Sequence, residues 1–151
     1  MRKIITLAAL LLVMPTMAHA DDRADVKAAV DQWLAALNAN DADAFAASQL
    51  VDGMTFRQAH GADSVMKLTS RSNADWVNRV RAETNRLHEQ YWKPKILVHG
   101  GIAVFWAPYS FDINGKRSHC GVDVFDLVKT DGKWKVANAM WTVEPDGCPK
   151  K

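Results

Sequence analysis

Apolar and polar residues alternate most regularly between Ile102 and Val143, and the alternation predicts three consecutive antiparallel strands, Ile102–Ile113, Lys116–Lys129 and Lys133–Val143. The dipeptides between them, Asn114-Gly115 and Asp131-Gly132, accept the positive φ angles of two-residue type I′ hairpins. Ile113 then faces Lys116, Thr130 faces Lys133, and counting outward assigns every other pair. One face of the meander collects Ile102, Val104, Trp106, Ser110, His119, Asp123, Phe125, Leu127, Trp134, Val136, Asn138 and Met140. The other collects Phe105, Ala107, Tyr109, Cys120, Val122, Val124, Ala139, Trp141 and Val143. Both are largely apolar, whereas an antiparallel sheet commonly leaves one side to water. This sheet needs two covers: helices on one side, and a second sheet or a second subunit on the other.

The preceding half supplies the helices. Val26, Val30, Trp33, Leu34 and Leu37 recur at helical spacing behind a cap at Asp21 or Asp22. Asn38-Ala39-Asn40-Asp41 closes that helix, and Asp41 caps a short second one, Ala42–Ser48. Leu50–Gln58 reads as a strand, while Ala59–Arg71 has no strong periodicity and reads as a loop with a helical turn at Ser64–Leu68. Asn73 caps a third helix running to about Asn85. Leu87–His99 reads as one long strand, bent or at an edge where Pro94 interrupts it. Helices with an early strand, followed by antiparallel strands, define an α+β domain in which a curved sheet wraps over N-terminal helices. No linker or repeat divides residues 21–151.

Residues 1–20 stand apart from this pattern. Arg2 and Lys3 precede an apolar run, Ile4–Met14, and Ala18-His19-Ala20 forms a cleavage signal, which together read as a secretory signal peptide. The alternative is an uncleaved anchor. Without Arg2 and Lys3 the 19 Lys and Arg fall to 17, equal to the 17 Asp and Glu. A balanced mature chain lacks the basic footprint of a nucleic-acid binder, and the nearest approach to one is Arg79, Arg81 and Arg86. The same processing leaves no membrane contact. Two cysteines in an exported chain point to one disulfide, Cys120–Cys148, with the Pro145-Asp146-Gly147 turn returning Cys148 to the sheet; two free thiols are the alternative.

Several stretches resemble the nuclear transport factor 2-like (NTF2-like, SnoaL-like) superfamily. They are Leu37-Asn38-Ala39-Asn40-Asp41-Ala42-Asp43, Val124-Phe125-Asp126-Leu127-Val128-Lys129, and Asp131-Gly132-Lys133-Trp134-Lys135-Val136-Ala137. Ile102–Phe111 with Ser118–Phe125 is similar to its lumazine-binding-like branch. The resemblance implies a cone of mixed or antiparallel sheet closed by helices around a pocket, frequently in a homodimer joined through the outer sheet face. Here that face would present Phe105, Tyr109, Val122, Val124 and Trp141. The superfamily includes ketosteroid isomerase, dehydratases, polyketide cyclases and members that only bind or assemble.

Within the expected pocket, Asp123 has apolar company in Trp106 and Met140. A carboxylate there is costly unless hydrogen-bonded, and desolvation raises its proton affinity. It reads either as a general base assisted by His119 or as a structural group bonded to Asn138, an indole N–H or a helix end. Among the six tryptophans, Trp33, Trp76, Trp92 and Trp106 either wall a pocket for a flat ring or fill a small core. Arg57 and His60, near the end of the first strand, either meet an anionic ligand or lie on the surface. His60, His88, His99 and His119 are scattered without ligand spacing, so no metal is expected. No motif for a cofactor appears either. Ketosteroid isomerase chemistry needs a carboxylate base with Tyr and protonated Asp donors. In the assumed register Tyr109 falls outside and no second carboxyl accompanies Asp123.

These observations favour an exported homodimer holding a small aromatic or apolar ligand against Trp33, Trp76, Trp106, Ser110, Asn138 and Met140, beside Asp123 and His119. The alternatives are an isomerase, dehydratase or hydrolase using Asp123 and His119, and a non-catalytic assembly domain.

Overall fold

The computed structural model describes residues 22–60, 65–144 and 148. The signal-peptide reading, Ser64 and the Pro145–Gly147 turn lie outside the described residues. The elements are α1 (Asp22–Asn38), α2 (Ala42–Ala47), β1 (Met54–His60), β2 (Met66–Ser72), α3 (Asn73–Ala82), β3 (Leu87–Tyr91), β4 (Lys95–His99), β5 (Ile102–Ile113), β6 (Lys116–Thr130) and β7 (Lys133–Val143). The strands form one curved sheet of seven in the order β2-β1-β7-β6-β5-β3, with β4 also pairing β5. β1 runs parallel to β7, and the other pairs are antiparallel. This is the expected α+β cone.

α1 buries the stripe its spacing predicts: Val26, Ala29, Val30, Trp33, Leu34, Ala36 and Leu37. Each large member contributes about 1.5–3 kcal/mol when removed from water. The helix ends because Asn40 turns left-handed at φ 54°. That turn lets Asp41 N–H reach Ala36 O (3.0 Å) and Asn40 N–H reach Leu37 O (3.1 Å), a Schellman closure. Asp41 then caps α2, its Oδ1 accepting from Ala44 N–H at 3.0 Å.

Several boundaries differ from expectation. The stretch expected as a loop contains β2, hydrogen-bonded to β1 along its length. Nearly every β2 position is exposed, so an edge strand wet on both faces left no alternation to detect. β1 begins at Met54 rather than Leu50. The cap of α3 is Ser72, whose Oγ accepts from Asp75 N–H at 3.1 Å. Asn73 is buried instead, donating to Leu50 O (2.7 Å) and Ala137 O (3.1 Å), and α3 stops at Ala82. Leu87–His99 is broken as Pro94 predicted, into β3 and β4 along the same edge of β5.

Both hairpins have the predicted turns, with Ile113 facing Lys116 and Thr130 facing Lys133. Beyond them the register slips twice. Phe111 pairs with His119 while Asp112 pairs with Arg117, leaving Ser118 as an extra residue in β6. Asp126 pairs with Asn138 while Leu127 pairs with Val136, leaving Ala137 extra in β7. Because side chains alternate, each bulge flips everything beyond it to the other face. On the helix side, β6 still presents His119, Asp123, Phe125 and Leu127, and β7 still presents Trp134 and Val136. Now β5 joins them through Phe105, Ala107 and Tyr109, and the end of β7 through Ala139 and Trp141.

The expected outer face is corrected accordingly. Phe105 and Tyr109 are 0% and 1% exposed and lie in the interior, and Trp141 faces the helices. Val122 and Val124 remain on the outer face. Ile102, Val104, Trp106, Asn138 and Met140 move out to join them. The second bulge also sets Cys120 opposite Glu144 rather than Val143, and the Cys120–Cys148 disulfide forms from there across a Cα separation of 5.5 Å.

Gly121 occupies the inner row of β6 between His119 and Asp123. Tyr109, its partner on β5, reaches past it to donate to Thr142 O at 2.8 Å. A Cβ on Gly121 would stand 2.3 Å from Thr142 O, a main-chain atom that cannot swing away. Gly121→Ala is therefore expected to cost about 1–3 kcal/mol, read as a Tm several degrees lower by thermal denaturation. An unchanged Tm would show that this crossing is loose.

Candidate functional site

Between the three helices and the inner sheet face lies a cavity of about 200 Å³. Its walls are aromatic because each element contributes a ring at the position its own periodicity turns inward. Trp33 of α1 packs on Phe45 of α2 with centroids 4.7 Å apart and meets Phe125 edge-on at 5.1 Å. Trp76 of α3 meets Trp141 edge-on at 5.5 Å. Two of the indole N–H groups have protein partners. Trp33 donates to Gln49 Oε1 at 2.9 Å, and Trp76 donates to Thr55 Oγ1.

Asp123 and Glu89 supply the acidic groups within, and Glu83 a third carboxylate at the edge near Arg79. Asp123 is 4% exposed, and its Oδ2 is buried without a hydrogen-bond partner. Burial holds its carboxyl well above the usual range, and the nearby charge of Glu89 adds to the effect. Glu89 borders the same cavity, and burial pushes it up to about 8. The main chain at Glu89 is held firmly even though β3 is an edge strand. On its open side, Asn38 accepts from Glu89 N–H at 2.6 Å and donates to Glu89 O at 2.9 Å. The end of α1 thus acts as a missing strand and fixes where the glutamate points.

His119 lines the cavity beside the Phe111 ring, 5.1 Å away, which stands between it and Glu89 along one row of the sheet. Burial, with Arg57 and Arg117 adding to it, lowers its pKa to about 4, so it is a neutral imidazole near pH 7. It can accept or donate one hydrogen bond but is not a ready source of protons. Tyr109 packs behind it with ring centroids 5.8 Å apart. Its hydroxyl pKa is raised by burial and by the charges of Asp123 and Glu89.

Of the residues expected in the pocket, Asp123, His119, Trp33 and Trp76 are brought together. Met140 touches the border but leaves its side chain on the outer face, 41% exposed. Trp106, Ser110 and Asn138 are not in the cavity. Trp106 lies outside beneath the Lys95 ammonium, 5.1 Å from its ring centroid. Ser110 pairs with Cys120 on the outer side, and Asn138 Oδ1 accepts from Met54 N–H at 3.0 Å. Glu89 and Trp141 were missed. A glutamate in the inward row Leu87–Glu89–Tyr91 was the available signal. The absence of a second carboxyl and of an inward tyrosine, read from the unbulged register, is corrected by Glu89 and Tyr109. Among the described residues no cluster of His, Cys, Asp and Glu is arranged to hold a metal ion.

No family model matches the chain, and no curated protein matches it in sequence. Solved structures match it closely in shape. An NTF2-like protein of unknown function from Shewanella baltica OS155 has 17% identity and a TM-score of 0.61, over 83% of this chain and 95% of that one. A protein from Streptomyces avermitilis, provisionally assigned as a dehydratase of the NTF2-like family, has 14% identity and a TM-score of 0.64, over 81% and 95%. The β subunit of a provisionally assigned aromatic-ring-hydroxylating dioxygenase from Novosphingobium aromaticivorans has 11% identity and a TM-score of 0.66, over 85% and 92%. The protein has the NTF2-like fold. At these identities the likeness reaches the fold and stops there, without distinguishing the lumazine-binding-like branch or an activity.

The site's proton affinities give a pH signature. Glu89 moves from 4.5 up to about 8 on folding, so its stabilising effect is complete below pH 4.5 and is lost as pH rises through 8. His119 moves from 6.5 down to about 4, so its effect is present above pH 6.5 and is lost as pH falls through 4. Between pH 6.5 and 8 the acids dominate this pair of opposing trends. Tm should fall across that window, and Glu89→Gln should flatten the fall in a buffer series. An equal slope in the variant would place the titration elsewhere.

Proposed function

We propose that this protein is exported and binds a small aromatic or apolar molecule in the cavity between its helices and sheet. One observation carries the reading: Asp123 Oδ2 is buried, lacks a hydrogen-bond partner and belongs to a residue that lines the cavity. An unsatisfied buried acid is costly, and a polar group on a bound ring would supply the missing bond. The surrounding rings offer stacking area. A space of about 200 Å³ holds several waters at ~30 Å³ each, which does not agree with a pocket filled by its own side chains. The Streptomyces and Novosphingobium proteins carry assignments to small-molecule chemistry on the same fold, which supports a comparable use of the pocket here.

A library of small ring compounds, followed by tryptophan fluorescence and melting temperature, tests the reading. Binding is expected to raise Tm, since a ligand at a hundred times its Kd adds about 2.7 kcal/mol. No shift with any compound would overturn it.

The raised proton affinity of Asp123 beside Glu89 and Tyr109 favours a second reading, an isomerase, dehydratase or hydrolase in which Asp123 moves a proton and His119 orients the substrate. Asp123→Asn separates the two. In a binding protein it weakens affinity about tenfold by removing one charged or acidic hydrogen bond. In an enzyme it removes roughly a hundred- to ten-thousand-fold of turnover while binding persists.

Export rests on the leader at residues 1–20 and agrees with the Cys120–Cys148 disulfide. A homodimer through the outer sheet face is part of the same proposal. With the register corrected, that face presents Ile102 and Val104, 61% and 38% exposed, together with Val122 and Val124. Intact mass and sedimentation of protein from its own host should give a chain beginning at Asp21 and a dimer. A retained leader or a monomer would remove the corresponding part.

A further inference from the structure

The cavity does not end at its aromatic walls. Thr55, Arg57, Trp76, Arg79 and Trp141 line both the cavity and an adjoining open groove, where Arg71 and Thr69 join them. Strand register explains the clustering. Arg57 pairs with Thr69 on β2 and with Trp141 on β7, while Thr55 pairs with Arg71 and Ala139. Adjacent inward rows of β1 and β2 therefore deliver two guanidinium groups to one end of the cavity. α3 delivers the third, and the Arg79 guanidinium lies 5.3 Å from the Trp76 ring centroid. Three cations converge at the mouth, with Glu83, near Arg79, the one carboxylate among the described residues that line this rim. Among the described residues none of the three arginines makes an ion pair with a carboxylate.

The acids lie on strands farther across the sheet. The row Arg57–Trp141–Asp123 runs from the rim inward across β1, β7 and β6, so charge, ring and carboxyl follow one another along a single line of side chains. Burial raises the proton affinity of Asp123 and Glu89, that of Glu89 to a pKa of about 8, and His119 is neutral near pH 7. The inner end therefore favours uncharged hydrogen-bonding groups, while the fixed positive charges of the site stand at its rim. That arrangement disfavours a cation and suits an anion whose charge stays at the mouth.

We propose that cavity and groove together hold a flat aromatic acid, its anionic group on Arg57, Arg71 and Arg79, its ring against Trp76 and Trp141, and a hydroxyl or carbonyl at its far end against Asp123. The proposal rests on the ligand-binding reading above and names its chemical class. Arginine is suited to the task because its planar fork pairs two N–H groups with one carboxylate.

The probes are 4-hydroxycinnamate and its uncharged methyl ester, titrated calorimetrically into the mature protein at low and high salt. The acid should bind about tenfold or more tightly than the ester, since hydrogen bonds to a charged group contribute about 1.5–3 kcal/mol. That advantage should shrink as salt screens the exposed rim. In Arg57→Gln and Arg71→Gln, each checked for an unchanged circular dichroism spectrum, the acid-to-ester ratio should move toward one. Equal affinities for acid and ester, or a ratio unaffected by both variants, would overturn the choice of an anion while leaving the pocket a binding site. Failure of both probes, with neutral library rings binding, would likewise overturn only this proposal. If no ring of any charge binds, both readings fall together.

Discussion

Two single-residue bulges, Ser118 in β6 and Ala137 in β7, decide which side chains meet inside this protein. Strand side chains alternate, so each extra residue reverses the parity of one strand against its neighbour. Without the first bulge, β5 would turn Trp106 and Val104 toward the helices and leave Phe105 and Tyr109 in water. Without the second, β7 would offer Asn138 and Met140 to the cavity in place of Ala139 and Trp141. Both irregularities are held by specific contacts. The carbonyl of Ala137 accepts from Asn73 Nδ2 at 3.1 Å, which ties the bulge to the first residue of α3. Gly53 permits that approach, because a Cβ there would lie 1.8 Å from the same oxygen. Beside the first bulge, Arg117 Nε donates to the buried carboxylate of Asp112 at 2.5 Å.

From that parity the site follows. Asp123 stands in apolar company because Phe125, Trp141 and Ala107 share its side of the sheet, and low polarity there favours its protonated form. Glu89 approaches from an edge strand that depends on a side chain, Asn38, to satisfy its open main chain. The cavity therefore couples the end of α1 to the acids on the sheet. The polarity across it is uneven, with acids of raised proton affinity and a neutral imidazole within and guanidinium groups at the opening. A fold shared with many unrelated activities becomes particular through such residues rather than through its topology.

What was legible beforehand divides along physical lines. The three meander strands, both turns, α1, α2 and the break at Pro94 were written in short-range signals: apolar spacing, Asn-Gly and Asp-Gly dipeptides, a capping aspartate and proline. Asp123, His119, Trp33 and Trp76 were placed correctly, since β6 and the helices kept the parity used to count them. β2 was not legible because its positions are nearly all exposed. Trp106, Ser110, Asn138, Phe105, Tyr109 and Trp141 were assigned to the wrong faces for one reason, the uncounted bulges.

The sequence by itself determined every element but β2, the turns, the cysteine pair and the presence of an acid on the inner face of β6, since these depend on neighbours within a few residues or on a count. Only the tertiary structure decided the partners of that acid. Glu89 and Trp141 reach the cavity, with Tyr109 packed behind it, through strand pairings between residues far apart in the chain; Arg57 and Arg71 reach its mouth in the same way, and Arg79 from α3. A bulge that costs one residue of register is stabilised by contacts such as Asn73 to Ala137, which no local pattern encodes.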